Sequence, residues 1–193
     1  MRKLITTLAL ILLLPCWCFS QEIIVAKKKA SGACNTASTS CIATTGSDEN
    51  VSPNYYYSAS SFTMGETATV CSIELELKKG TASGTYKVGI YSNNSGEPGT
   101  LIGSWSDNYN VSDLTTSYVY TAATKTGGLG AALTASTLYW IVVYASSGAL
   151  QDNLLYYAYT DCLVGSNYHK RSDNGTTWAN GGNTTGPHFK LYK

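Results

Sequence analysis

The sequence has few charged residues, few prolines and almost no helical periodicity. Of its 193 residues only 13% are Asp, Glu, Lys or Arg, and the formal net charge is +1. Soluble domains average about 25% charged residues, so this composition excludes a coiled coil, a basic nucleic-acid-binding arm and a polyelectrolyte tail. The 44% of hydrophobic residues excludes wholesale disorder. The chain has 15 Tyr against three Phe, so most of its aromatic area carries a hydroxyl group.

The one long apolar run lies at the N-terminus. Two basic residues precede residues 4–14, a run that has the length of a signal-peptide core and is short for a bilayer span. Pro15 then ends any helix, and small residues at the third and first positions before Gln21 fit a cleavage site. We therefore predict a signal peptide over residues 1–20 and a secreted or cell-surface protein with no membrane span after cleavage.

Two alternatives to this cleavage remain open. The first is a retained membrane anchor, and the second is lipidation of Cys16 or Cys18. Pro15 and Trp17 stand where a lipidation motif has a small residue, so cleavage of the signal peptide is the favoured interpretation. Cleavage removes two positive charges and brings the net charge to −1, which gives no attraction to nucleic acid or an anionic membrane.

Four cysteines follow the predicted signal peptide: Cys34, Cys41, Cys71 and Cys162. An even number in an oxidising compartment predicts two disulfides. Of the three possible pairings we favour Cys34–Cys41, which closes a short loop, with Cys71–Cys162, which joins an early strand to a late one. The spacings that zinc sites use are absent from the sequence, so no metal is predicted at these thiols.

The chain divides after residue 54. Residues 21–54 are rich in Lys, Ala, Ser and Thr without sustained periodicity, and we interpret them as a leader or linker. In residues 55–193, short segments with a period of two alternate with turns of Gly, Asn, Ser and Asp. Ile73, Leu75 and Leu77, for example, alternate with charged residues, as in a half-buried strand.

Residues 138–144 are apolar on both faces and predict a central strand. Further strands are predicted at 86–92, 101–105, 118–121, 154–160, 168–171 and 188–192. Many short strands at this spacing predict an all-β fold, and we expect an antiparallel two-sheet β-sandwich of the jelly-roll type over residues 55–193.

A set of short motifs follows one another in the order Ser61-Phe62-Thr63, Ile73-x-Leu75-x-Leu77 with Gly80, Val88-x-Ile90-Tyr91, Gly96-x-Pro98-Gly99-x-Leu101, Leu138-Tyr139-Trp140-Ile141-Val142-Val143, Asp173-x-Gly175 with Trp178, and Phe189-x-Leu191-Tyr192. This order resembles the secreted bacterial β-sandwich domains of choice-of-anchor surface proteins, which in turn resemble carbohydrate-binding modules. The resemblance implies a surface-associated binding domain. A hydrophobic sorting tail is not seen before Lys193, so a covalent anchor is not expected.

The segment Asp173-Asn174-Gly175-Thr176-Thr177-Trp178 is similar to the Asp-box hairpin of sialidase-like propellers, with Arg171 where the box has Ser. We expect Asp173 to accept backbone N–H groups in the turn, Gly175 to take a positive φ, and Trp178 to pack beneath. This predicts a structural hairpin, and contact with a ligand is the alternative.

No catalytic constellation is recognisable in the sequence, so an enzyme is not predicted. His169 and His188 are the two histidines, neither lies in a nucleophile motif, and His169 is expected at the surface. Glu74 and Glu76 could form the carboxylate pair of a glycosidase, but strand alternation already explains them as a solvent-facing row.

The one cofactor considered is a structural calcium ion. Asp48, Glu49, Asn50 and Asn54 carry suitable oxygen ligands. A solvated acidic loop is the simpler interpretation of this segment.

The remaining signal is the surplus of Tyr and Trp. Exposed rings beside amides and carboxylates suit sugars, whose C–H faces stack on rings while their hydroxyls form hydrogen bonds. The candidate ligand-binding residues are Trp178, Tyr168, Tyr157, Trp105, Asp173 and Asn180. The favoured hypothesis is an exported, non-catalytic module that binds glycan at a cell surface or in an extracellular matrix. The alternative is a self-associating subunit of an extracellular filament or surface layer.

Overall fold

The computed structural model describes residues 34, 36–41, 47–50, 55–79, 84–147, 154–159, 169–181 and 186–193. The predicted signal peptide, Asn54, Cys162 and Tyr168 lie outside these residues. In chain order the strands are β1 (Ala37–Cys41), β2 (Ser47–Asn50), β3 (Tyr57–Thr63), β4 (Ala68–Val70), β5 (Ser72–Lys79), β6 (Thr85–Asn94), β7 (Glu97–Ile102), β8 (Tyr109–Asn110), β9 (Val119–Thr124), β10 (Ala131–Leu133), β11 (Leu138–Ser147), β12 (Leu154–Tyr159), β13 (His169–Ser172), β14 (Ala179–Asn180), β15 (Gly186–Pro187) and β16 (Phe189–Tyr192). A single 3-10 turn, Val111–Asp113, is the helical element of the described chain.

The strands form two large antiparallel sheets. Sheet A has the order β1-β16-β5-β12-β15, with β2 beside β12 and β9 beside β5. Sheet B has the order β14-β13-β3-β11-β6-β7, with β8 beside β6, and β4 pairs with β10 in a small third sheet. The predicted fold class, an all-β antiparallel sandwich, is confirmed.

The core lies where the apolar rows of the two sheets meet. On β5 the residues Ile73, Leu75 and Leu77 are buried while the residues between them are half-buried, as the alternation predicted. β11 lies between β3 and β6 in the middle of sheet B, which confirms the predicted central strand. The core also contains Phe62, Met64, Tyr86, Val88, Ile90, Tyr139, Ile141, Val143, Phe189 and Leu191. Within the described residues, no helix is long and apolar enough to cross a lipid bilayer.

The segment interpreted as a leader contributes two strands to sheet A. β1 pairs with β16, and β2 pairs with β12, where Asp48 lies opposite Tyr157. Asp48, Glu49 and Asn50 therefore lie in a strand and not in the solvated loop expected from their composition. Pairing with an existing sheet edge overrides the weak strand propensity of these residues, because β propensity depends strongly on context.

The disulfide in the structure joins Cys34 to Cys71, with their Cα atoms 5.9 Å apart. The favoured pairings of Cys34 with Cys41 and of Cys71 with Cys162 are therefore both wrong. The C-terminal residues explain the difference: Thr36 N–H donates to the carbonyl of Lys193, and Cys71 N–H donates to that of Tyr192. The end of the chain thus brings both cysteines to the same place, which local spacing could not indicate.

Candidate binding site

The outer face of sheet B is covered although it faces away from the core. Along β11, Tyr139, Ile141 and Val143 belong to the core, so Trp140 and Val142 point outward. These two side chains are nevertheless only 1% and 0% exposed. Because these central residues are buried, other side chains must cover the outer face of sheet B.

Six rings provide most of that layer, and we call them the aromatic cluster: Tyr57, Tyr91, Trp105, Trp140, Tyr144 and Trp178. Tyr57 stacks on Tyr144 with ring centroids 4.4 Å apart, and Trp178 meets Tyr57 edge-on at 6.1 Å. Trp105 has its ring centroid 5.9 Å from that of Tyr144 and 5.6 Å from that of Tyr91. These are the separations of favourable aromatic pairs.

Trp105 reaches the cluster from a loop. The strand predicted over residues 101–105 ends at Ile102, and the following residues continue alongside β6. Ser106 secures them, because its N–H donates to the Val88 carbonyl at 2.8 Å and its Oγ accepts from the Val88 N–H at 2.9 Å. The Trp105 ring then lies on Gly89, where an added Cβ would come within 2.8 Å of Trp105 Cε3 and of Leu101 Cδ1.

Gly89→Ala is therefore expected to displace Trp105. Overpacking of this kind costs about 1–3 kcal/mol in unfolding free energy. Urea denaturation measures the cost, and Trp fluorescence reports the change around the ring. The control is a double-mutant cycle with Trp105→Leu, in which the cost of Gly89→Ala should fall. An unchanged cost in the Leu background would contradict the contact between Trp105 and Gly89.

The turn before Trp178 is a structural hairpin, but not through Asp173. The side-chain Oγ of Ser172 accepts the N–H of Gly175 at 2.9 Å. Asn174 Oδ1 accepts the N–H groups of Thr176 and Thr177 at 2.8 and 2.9 Å. Gly175 has a φ of +74°, as predicted. Trp178 is 8% exposed and packs in the cluster. The expectation that Asp173 accepts these bonds is wrong, because Ser172 and Asn174 fill that role while Asp173 is exposed.

A polar groove of about 470 Å³ opens between this turn and the hairpin of β6 and β7. Its lining consists of Ser92, Asn93, Asn94, Pro98, Gly99, Thr100, Gly175 and Thr176, with no charged side chain among them. Asn93 connects the groove to the cluster, because its Oδ1 accepts the indole N–H of Trp140 at 3.1 Å. The same oxygen accepts the N–H of Gly96 at 3.1 Å.

Two tyrosines of the cluster, Tyr57 and Tyr91, remain protonated at neutral pH. Burial, followed by the neighbouring Tyr144, raises the pKa of Tyr57. Burial, followed by the nearby Tyr57, raises the pKa of Tyr91 to about 12. Lys87 supplies the positive charge here, with its Nζ 4.9 Å from the Trp105 ring centroid and 5.0 Å from that of Tyr144.

One ion pair joins β13 to the start of β7. Lys170 on β13 donates to Glu97 Oε1 at 3.4 Å and to Asn180 Oδ1 at 2.8 Å. Because Glu97 begins β7, at the opposite side of sheet B, this contact shows that the hairpin of β6 and β7 bends over the sheet. The bend explains why Lys170 is buried although its strand position is outward.

Four of the six sequence-predicted binding residues lie in this region. Trp105 and Trp178 belong to the cluster and are connected through Tyr57 and Tyr144. Asp173 and Asn180 are exposed at either end of the segment that carries Trp178.

The other two predicted residues do not join them in the structure. Tyr157 is in β12 of sheet A, on the other sheet, and Tyr168 lies outside the described residues. Sequence reasoning missed four rings of the aromatic cluster, namely Tyr57, Tyr91, Trp140 and Tyr144. The signal that could have found two of them was the outward row of the central strand, which is too apolar to face water.

Both histidines are buried, which corrects the expectation that His169 is at the surface. β13 pairs with β3 so that His169 lies opposite Ser60, and its Nε2 is 2.8 Å from Ser58 Oγ. Burial, followed by the charge of Arg171, lowers the pKa of His169 to about 3.

His188 and the two glutamates of β5 form polar contacts on the outer face of sheet A. His188 Nδ1 lies 2.6 Å from Glu76 Oε2. Glu74 accepts a hydrogen bond from the Tyr192 hydroxyl at 2.9 Å. Each carboxylate therefore already has a structural partner, as expected for side chains on the outer face of the strand.

No protein-family model matches this chain, and neither a curated protein nor a solved structure is significantly similar to it. In the part of the chain that the structure describes, no three or more His, Cys, Asp or Glu side chains converge as metal ligands.

Proposed function

We propose that this chain is an exported, non-catalytic module that binds carbohydrate at a cell surface or in an extracellular matrix. The observation that carries the proposal is the uncharged polar groove beside the aromatic cluster. The apolar run at residues 4–14 supports export, and the resemblance to surface-protein sandwich domains supports a surface role.

The side chains at the groove match the chemistry of a sugar. The exposed residues Asn94, Thr100 and Thr176 offer amide and hydroxyl groups to sugar hydroxyls. The half-buried ring of Tyr57 lies against Gly175 of the groove lining and offers apolar surface to the C–H groups of a pyranose. A groove without charge in its lining favours a neutral glycan, because an anionic one would leave its carboxylate or sulfate without a partner there.

The proposal predicts binding to a neutral polysaccharide that depends on the groove. Screening the mature chain, residues 21–193, on a glycan array identifies the ligand, and calorimetry measures its Kd. Replacing both Asn94 and Thr176 by Ala should weaken binding about tenfold or more, the equivalent of roughly 1.4 kcal/mol.

Thr69→Ala is the matched control, because Thr69 is an exposed threonine on β4, outside the groove. It should leave Kd unchanged. An array without any bound glycan contradicts the function, and equal affinity of the groove variant and wild type contradicts the site. Ordered polymers at high concentration, seen by negative-stain microscopy without glycan binding, would instead support the filament or surface-layer subunit.

A further inference from the structure

Lys170 places a buried amine between an amide and a carboxylate. Its side chain is 8% exposed, whereas that of Glu97 is 43% exposed. Lys170 Nζ lies 2.8 Å from Asn180 Oδ1 and 3.4 Å from Glu97 Oε1. The contact with Asn180 is fixed by the sheet, because Lys170 and Asn180 are directly opposed partners on β13 and β14.

We propose that Lys170 and Asn180 join through an intramolecular isopeptide bond, with Glu97 as the residue that transfers the proton. The carbon to be attacked, Asn180 Cγ, is bonded to the oxygen that Lys170 Nζ already contacts. A lysine amine shielded from water is a suitable nucleophile once it loses its proton. Glu97 touches that amine and is the base within reach.

The reaction balances without an oxidant or a cofactor. Glu97 takes a proton from Lys170 Nζ, and the nitrogen lone pair forms a bond to Asn180 Cγ. The Cγ–Nδ2 bond then breaks. The departing nitrogen takes up the proton held by Glu97 and the second proton that Lys170 Nζ loses on forming the amide, and it leaves as an ammonium ion. The products are one amide bond between the two side chains and one ammonium ion, and Glu97 is again a carboxylate. Because Asn180 is exposed, the ammonium ion can escape to solvent.

The bond would hold β14, a short edge strand, against its neighbour β13. β14 has two residues and lies at the edge of sheet B, where two cross-strand pairs hold it to β13. The segment between these strands contains the Asn174 turn and Trp178 of the aromatic cluster. A covalent link from Lys170 to Asn180 closes this segment into a ring and so holds Trp178 in place whatever ligand the groove binds.

Mass spectrometry of the full exported chain tests the proposal. The intact protein should be lighter than the disulfide-bonded sequence by one ammonia molecule. Trypsin cuts after Arg171 and so separates Lys170 from Asn180, unless a bond joins them. We expect a branched peptide in which Lys170 is linked to residues 172–190. Linear peptides only would overturn the proposal, including a linear peptide that has lost ammonia through a cyclic imide at Asn180-Gly181.

Three variants separate the reaction from the fold. Glu97→Gln keeps the shape of an exposed side chain but removes the base, so it should abolish the branched peptide. Lys170→Arg should abolish it too, because the guanidinium is not a nucleophile. Glu66→Gln is the matched control, since Glu66 also pairs with a lysine, Lys193, but without an amide partner for that lysine, and it should leave the branched peptide in place. A branched peptide that persists in Glu97→Gln would overturn the role of Glu97.

Discussion

Replacing Cys34 and Cys71 together by Ser is expected to lower the free energy of unfolding by about 4 kcal/mol. The cysteines are 37 positions apart in the sequence, and the loss is the chain entropy that a crosslink of this length removes from the unfolded state. The position of the bond adds to its importance. It ties the segment before β1 to the segment before β5, and both segments hydrogen-bond to the last residues of the chain.

Urea denaturation of the oxidised protein measures the loss. The single variant Cys34→Ser should cost nearly as much as the double variant, because either change removes the same bond. A reducing agent should lower the stability of the wild type far more than that of the double variant. Equal stability of the wild type and the double variant would contradict the structural role of the bond.

The same bond predicts the full cysteine connectivity of the exported protein. Because Cys34 pairs with Cys71, the two cysteines that remain after signal cleavage are Cys41 and Cys162. Peptide mapping without reduction should therefore yield Cys34 linked to Cys71 and Cys41 linked to Cys162. A peptide in which Cys34 is linked to Cys41 would contradict the fold at β1.

The fold was largely predictable because strand alternation is a local property. Ile73, Leu75 and Leu77 follow a period of two, and a strand with that pattern buries one face in any sandwich. The turn at Gly175 was predictable for the same reason, because the residues within the turn determine its backbone conformation. The hydrogen-bond acceptors in this turn were predicted wrongly, because Ser172, Asp173 and Asn174 all carry side-chain oxygens. Sequence alone does not show which of these oxygens accepts the backbone N–H groups.

The site was less predictable because it depends on how distant segments meet. The sequence showed that residues 138–144 need burial on both faces, but it did not show what covers the outer face. Trp105 reaches that face through a loop that hydrogen-bonds back to Val88. Lys170 became buried because the hairpin of β6 and β7 bends toward it. The pairing of β13 with β3 likewise places His169 on the inner side of sheet B. Its polar neighbours in the sequence had predicted a solvent-exposed side chain.

The burial of His169 predicts that the protein loses stability as the pH falls below about 6.5. In the folded state burial and Arg171 lower the pKa of His169 from the ordinary 6.5 to about 3. Between these two pH values the unfolded chain binds a proton at this residue that the folded chain does not. The free energy of unfolding should therefore fall by up to roughly 1.4 kcal/mol per pH unit on this account, and this contribution should vanish above pH 6.5.

His169→Gln isolates the effect, because Gln can still bond to Ser58 and does not titrate in this range. Urea denaturation between pH 7 and pH 4 should show a steeper loss of stability for the wild type than for the variant. Carboxylates such as Glu66, whose pKa the hydrogen bond from Lys193 lowers, also lose stabilising charge in acid, but they do so equally in both proteins. The difference in slope therefore reports His169 alone, and equal slopes would mean that its imidazole takes up a proton in the folded protein.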